Sequence, residues 1–309
     1  MAYHLKLGES IPEGIRRVVR EEMESAAGQL SGKGAANRDE AIHEARKSVK
    51  KIRGALRLLR PELGDTFRAE NTRMRDVGRK LSEFRDAGAM LETFDVMLEK
   101  YRGELGKHTL ASIRTGLAAR KQQVEKQAKI ERALSSMAGA LGRADKRVKT
   151  WPLAADGFAA IAPGLQETFR EGRKALARVR KHPRPENYHE WRKRVKDHWY
   201  HVRLLENLWN DAMQAYERGL KELEAWLGED HNLVVLGEEV LAEPASYGKA
   251  QEIRFFGRVI DKYHKELRGN ALAAGARIYE EKPRQFTRRM QHLWDAWQAQ
   301  PARHTVALR

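Results

Sequence analysis

The sequence predicts an all-α protein made of two related helical bundles. Three observations lead there. Apolar residues recur at helical spacing along most of the 309 residues, and no strand-like alternation of useful length is sustained. A basic stretch from His43 to Leu59 returns 146 residues later as His189 to Leu205, with nine of the 17 aligned positions identical. The segments around the two copies follow one another in the same order. Two halves related by a pseudo-two-fold axis are therefore expected to pack as one unit around a central basic groove.

The N-terminal half is expected over residues 1–156. Tyr3 to Leu7 alternates briefly and stops at Gly8. Ser10 and Glu13 make a capping box that opens a helix running to about Leu30, with Ile15, Val18, Val19, Ala26 and Leu30 on one face. After a glycine-containing loop, Asn37-Arg38-Asp39-Glu40 is a second capping-box pattern, and the helix of the basic stretch follows until Pro61 and Gly64. Helices over 65–83 and 86–100 meet at Phe84-Arg85-Asp86. Residues 101–106 read as a turn, and 107–128 and 131–148 as helices. Trp151-Pro152 to Pro163-Gly164 combines prolines, glycines and little charge, and is the expected boundary.

The C-terminal half, 157–309, repeats the plan. Gly164 to Glu171 aligns with Gly14 to Glu21, and His182 to Pro185 reads as a turn before the second basic stretch. Leu227 to Leu233 stands where the Phe84-Arg85-Asp86 junction stood. Helices near 249–266, 268–280 and 284–297 close the half, with a loose tail from Pro301. The repeat offset drifts from 150 to 146 to 144, as small loop deletions would produce.

Composition narrows the partners. A formal charge of +16 and a pI near 10.0 call for a polyanion: nucleic acid, an anionic membrane or a phosphate-rich polymer. With 41% hydrophobic and 33% charged residues the chain can bury a core, unlike a disordered sequence. The absence of cysteine excludes disulfides and thiolate metal sites and fits a reducing, cytoplasmic setting. No long apolar run and no signal-like start occur, so neither a membrane span nor a secretory leader is expected.

The repeated stretch has two faces. With His43 at the origin of a helical wheel, Arg46, Lys47, Lys50 and Arg57 fall within about 60° of it. Ala45, Val49, Ile52, Leu56 and Leu59 lie opposite. In the second copy His189, Arg192, Lys193, Lys196 and Arg203 share a face, and Trp191, Val195, Val202 and Leu205 share the other. Like charges three or four residues apart cost about 0.2–0.5 kcal/mol per pair, so a helix shaped for stability alone would interleave glutamates. The same His-Arg-Lys-Lys-Arg order kept twice favours an anion ligand over a merely solvated basic face. Arginine offers phosphate a planar fork, lysine a mobile point charge, and histidine a donor whose charge responds to the anion.

The pattern His-Glu-x-Arg-Lys-x-Val-Lys, once per half, resembles the CHAD family, the conserved histidine α-helical domain. Gly8 to Arg17 is similar to the N-terminal segment of its bacterial members, Phe84-Arg85-Asp86 to its Arg-Asp junction, and Glu281 to Phe286 to its C-terminal segment. The resemblance covers about residues 3–297. It implies two four-helix-bundle-like halves that bind inorganic polyphosphate without catalysis in a basic groove, and association with polyphosphate granules in the cytoplasm. Carried onto this sequence, the binding residues would be His43, Arg46, Lys47, Lys50, Arg53 and Arg57, with His189, Arg192, Lys193, Lys196 and Arg203. Arg16, Arg20, Arg170, Arg173 and Lys174, on the preceding helices, are secondary candidates. Phosphate or sulfate ions would suit the same groove, and no cofactor, metal or catalytic residue is expected. Trp199 stands for Arg53, Asp197 for Lys51 and Glu229 for Arg85, so the second half is expected to grip the anion less evenly. The Glu-x-Glu-x-Lys strand of the triphosphate-tunnel domain often fused to this family is missing, so a stand-alone module is expected.

Three other functions compete with polyanion binding. A phosphotransfer enzyme or accessory would need a carboxylate-held metal or a poised nucleophile, and the basic faces offer neither. His198 and His201, next to Asp197, lack a third metal ligand and lie beside the apolar side, so they read as packing residues. Nucleic acid would bind basic helices by counterion release and could stack on tryptophan. Yet Trp151, Trp191, Trp226, Trp294 and Trp297 sit in apolar helical patterns or at the boundary. A membrane binder would need an exposed apolar face beside the charge, and these faces are committed to the bundle.

Overall fold

A computed structural model describes residues 3–32, 38–84, 86–105, 110–127 and 130–300, and among them every regular element is helical. The second capping-box residue Asn37, the junction residue Arg85 and the tail from Pro301 lie outside the described residues. The first half contains α1 (Ile11–Leu30), α2 (Arg38–Leu58), the one-turn α3 (Arg60–Leu63), α4 (Asp65–Glu83), α5 (Asp86–Lys100), the one-turn α6 (Arg102–Leu105), α7 (Ala111–Gln127) and α8 (Ile130–Val148). The second contains α9 (Phe158–Lys181), α10 (Pro185–Leu204), a 3-10 turn (Glu206–Leu208), α11 (Asn210–Ala242), the one-turn α12 (Pro244–Tyr247), α13 (Ala250–Ile278) and α14 (Pro283–Gln298).

The capping box at α1 forms as its sequence requires. The Glu13 amide donates to Ser10 Oγ at 3.3 Å, and the Ser10 amide donates to Glu13 Oε2 at 3.2 Å. The structure corrects three local expectations. Pro163 and Gly164 lie inside α9, so the break between the halves is the shorter run 149–157. Residues 102–105 form a helical turn. The helices expected at 249–266 and 268–280 are one, because the apolar series Ile260, Tyr263, Leu267, Ala271, Ala274 continues in register past the exposed Gly269.

Two apolar cores result, and they cut across the halves. In the larger, α1, α2, α4 and α8 pack together and adjoin α9, α10, α14 and the N-terminal part of α11. In the smaller, Phe94 and Met97 of α5 and Ile113 and Leu117 of α7 meet Leu233 and Leu236 of α11 and Phe256 of α13. The cause is length. At 33 and 29 residues, α11 and α13 extend about 50 and 43 Å, well past the first core. The first half covers the same distance with pairs of shorter helices. Thus α4 stops at Phe84, whereas α11 runs unbroken through Leu227 to Leu233.

Two glycines set how the halves meet. Gly54 and Tyr200 hold the same place in the repeat, and a Cβ on Gly54 would lie 2.8 Å from Tyr200 Cβ. Glycine alone lets α2 and α10 cross this closely, and the contact of equivalent residues puts the pseudo-two-fold axis at the crossing. His201 Nε2 lies 2.9 Å from the Gly54 carbonyl. A Cβ on Gly164 would overlap the Leu58 carbonyl, so α9 rests directly on the end of α2.

Candidate anion-binding cleft

From the crossing, the N-terminal parts of α2 and α10 form two arms of a cleft of about 620 Å³. His43, Arg46, Lys50, Arg53 and Arg57 line it from α2, and His189, Arg192, Lys193 and Lys196 from α10. The apolar backs of the same helices, including Ile52, Trp191 and Val195, are completely buried, which locks the cationic faces toward the cleft. His43 and His189 each precede the crossing by 11 residues, or about 16 Å of helix, and so stand at the far ends of the two rows.

Nine of the eleven residues named from the sequence therefore come together. Lys47 is exposed and bonds Glu44 at 2.7 Å. Arg203 is not in the lining, and its guanidinium lies 5.4 Å over the rings of both Trp199 and Tyr3. The secondary candidates do not line the cleft. Arg16 donates to the Trp151 carbonyl, Arg20 pairs with Asp145, Arg170 with Glu167, and Arg173 donates to the carbonyls of Glu280 and Glu281. Lys174 is exposed on α9. His198 and His201 are fully buried packing residues. His198 lies between the hydroxyls of Tyr279 (3.4 Å) and Tyr216 (3.2 Å), and burial pushes it down to about 3.

The remaining walls were missed by the sequence reading. Asp86, Ala89, Met90, Glu92 and Thr93 of α5 and His231, Asn232 and Val235 of α11 complete the lining, so the two arms do not simply face each other across an open groove. Behind α10 stands Glu224 of α11, which accepts from Arg192 Nε at 3.2 Å and from Lys196 Nζ. The helical wheel of α10 alone shows almost no acid on its cationic face, and the neutralising carboxylate comes from a neighbouring helix. Glu224, His231 and Val235 recur at helical spacing, and that pattern beside the counterpart of the Phe84 junction was the available signal.

Electrostatics mark the cleft as cation-rich. Burial, reinforced by Lys196, Arg46 and Arg192, pushes the Lys50 amine down to about 6. Burial and Arg192 also lower Lys196, against the pull of Glu224. Burial, with Arg57 next, brings Arg53 down to about 10. His231 is held at about 4 by burial, then by His189 and Arg192, and His189 is lowered by burial, Lys193 and Arg192. Burial would raise Glu224, but Lys196 and Arg192 outweigh it and hold the carboxyl below its usual range. Asp197 is raised by burial, which outweighs its 2.8 Å pairing with Arg57.

A family model described as the CHAD domain matches residues 19–241, a span that contains both arms. The chain belongs to the CHAD family. Its fold is similar to the crystal structure of the CHAD domain from the plant Ricinus communis, with a TM-score of 0.60 at 18% identity over 91% of this chain and 95% of that one. No curated protein matches the chain. Both arms of the cleft, and the α5 and α11 walls, fall inside the matched CHAD span. Among the described residues no helix is long and apolar enough to cross a membrane, and no group of three or more His, Asp or Glu is placed to hold a metal.

Proposed function

We propose that this CHAD protein binds inorganic polyphosphate in the cleft between α2, α10, α5 and α11, without catalysis. The observation that carries the reading is the burial of Lys50 among Lys196, Arg46 and Arg192, which together lower its amine to about 6. Such crowding costs stability unless an anion lies among the cations, and a linear chain of phosphates brings one charge per unit to meet them. The groove between two converging rows suits a linear, flexible polyanion better than a stiff duplex, which would need a long uninterrupted surface track. Granule association in the cytoplasm follows from holding such a chain. Free phosphate or sulfate should enter weakly, and a membrane is not the partner.

The test is equilibrium binding of long-chain polyphosphate over a salt series, with duplex DNA as competitor at equal phosphate concentration. Affinity should fall steeply with salt, rise with chain length until the cleft is filled, and resist DNA. Displacement by DNA at equal phosphate would instead make nucleic acid the ligand. In cells, a tagged protein should follow polyphosphate granules, and a diffuse distribution in granule-bearing cells would remove the targeting role.

A further inference from the structure

Both cationic rows of the cleft end in imidazoles, His43 on α2 and His189 on α10, with arginines and lysines further in. The two ends differ. His43 is exposed, and the repeat counterpart of His231 on its side is Ala87. At the other end His189 and His231 stand ring against ring, with centroids 4.2 Å apart and planes at 41°. His189 Nδ1 is buried without a hydrogen-bond partner, so Nε2 is the nitrogen an anion can reach. The exposed Asn232 lines the cleft beside the pair.

The charged groups beside the pair on α10 and α11 have partners of their own, while Asp86 and Glu92 of α5 also line the cleft. Lys193 of α10 bonds Glu190, and Arg192 and Lys196 share Glu224 of α11. Asp230, next to His231, is turned away and taken by Arg268 and His264 of α13. Burial and these neighbours keep both rings neutral when no anion is present.

A linear polyphosphate has two kinds of phosphate. Internal units carry one charge and no proton near neutral pH. Terminal units have a second ionisation near pH 6, as a phosphate monoester does, and so carry extra charge. We propose that His189 and His231 form a chain-end subsite that selects the terminal phosphate over internal ones. The terminal oxyanion accepts hydrogen bonds from the rings, and the pair takes up one proton from solvent to match the extra charge. The inference rests on the polyphosphate reading of the cleft.

The test uses the full chain and calorimetric titration with linear and cyclic hexaphosphate at pH 7, the ring having no ends. The wild type should prefer the linear form by about ten-fold, the size of one charge-assisted hydrogen bond. His231→Gln and His189→Gln should bring the ratio close to that expected from charge alone. His43→Gln, at the other end, should weaken both ligands together and keep their ratio. Linear hexaphosphate with its ends blocked as phosphoramidates should bind the wild type like the ring, which tests the subsite without any substitution. A wild type that treats the blocked and free chains alike, or a preference kept in both His189→Gln and His231→Gln, overturns the chain-end subsite while leaving polyphosphate binding intact. Failure of the wild type to bind any of these ligands, long chains included, would overturn both.

Discussion

On α2, Lys50 faces Lys196, Arg46 and Arg192 and makes no hydrogen bond to a carboxylate among the described residues. On α10, its repeat counterpart Lys196 shares Glu224 with Arg192. The same motif thus gives one arm whose Lys50 bonds no carboxylate among the described residues and another whose Lys196 and Arg192 are partly neutralised inside the protein. The other departures follow the same line. Where the first arm has Arg53 in the cleft, bonded to Asn71 at 3.1 Å, the second has Trp199, which donates to Glu217 at 2.9 Å. Where the first has Lys51 paired with Glu22 of α1, the second has Asp197, which reaches across the axis to Arg57.

What the arms share should break first. Ile52 and Val195 are both completely buried at the backs of their helices. Ile52→Asp and Val195→Asp each place an unpaired charge in the large core, and each is expected to cost about 4 kcal/mol or more. Denaturant unfolding should show similar losses for the two. A large loss for one and a negligible loss for the other would mean that the cores support the arms unequally.

The arms should then separate. Replacing Arg46, Lys50 and Arg53 together with Ala is expected to weaken polyphosphate binding about 100-fold or more with little loss of thermal stability, since Lys50 and Arg53 are themselves penalised by burial. Replacing Arg192, Lys193 and Lys196 should weaken binding and also destabilise the fold by about 3 kcal/mol, because Glu224 is left buried and unpaired. Melting both variants alongside a binding assay checks this. Equal melting temperatures would remove the structural role given to the second arm.

Titration gives a third contrast. His198, His201 and His231 sit at about 3, 4 and 4 in the folded protein, against about 6.5 when unfolded. The unfolded chain therefore binds more protons, and the stability of the free protein should fall as pH drops from about 6.5 toward 4. The lowered Lys50 acts in the same sense from its ordinary range down to about 6, while the raised Asp197 opposes it at acid pH. Binding should show the opposite slope. An anion returns the proton to Lys50, so affinity should drop as pH rises above 6, by up to about ten-fold per unit. Lys50→Arg should flatten that profile, and an unchanged profile would move the titrating group to the second arm.

Much of this was legible in the sequence, and the boundary has a physical cause. Helices, their apolar backs and the repeat are written in periodicity within one segment, so α1, α2, α10 and eight of the cleft residues could be read directly, and Arg53 through the family resemblance. Contacts between segments could not. Glu224 neutralises Lys196 from 28 residues away, and His231 meets His189 from 42 away. Lys47 shows the reverse error. It falls within about 60° of His43 on the wheel, but on the opposite side from Arg46, Lys50 and Arg57, and Lys47 points out toward Glu44. Gly54 is the point on which the two halves cross, a role that only its contact with Tyr200 of the other half reveals.

Glu224→Gln should tighten polyphosphate binding several-fold at low salt, because the amide oxygen still accepts from Arg192 while one negative charge leaves the cleft. Weaker binding would mean that the carboxylate's hold on Lys196 matters more than its charge.

The smallest effect is expected at Lys47. Its ammonium is exposed, paired with Glu44 and absent from the lining, so Lys47→Ala should change affinity by less than about two-fold in near-physiological salt, where charges beyond about 8 Å are screened. Arg46→Ala, one residue earlier and in the cleft, should lower affinity about ten-fold and reduce the salt dependence by close to one charge. The pair isolates geometry from composition, since both variants lose one positive charge from the same turn of α2. If net charge alone drew the polyanion, the two variants would give the same affinity and the same salt slope, and the cleft would have no special standing among the basic surfaces of this chain.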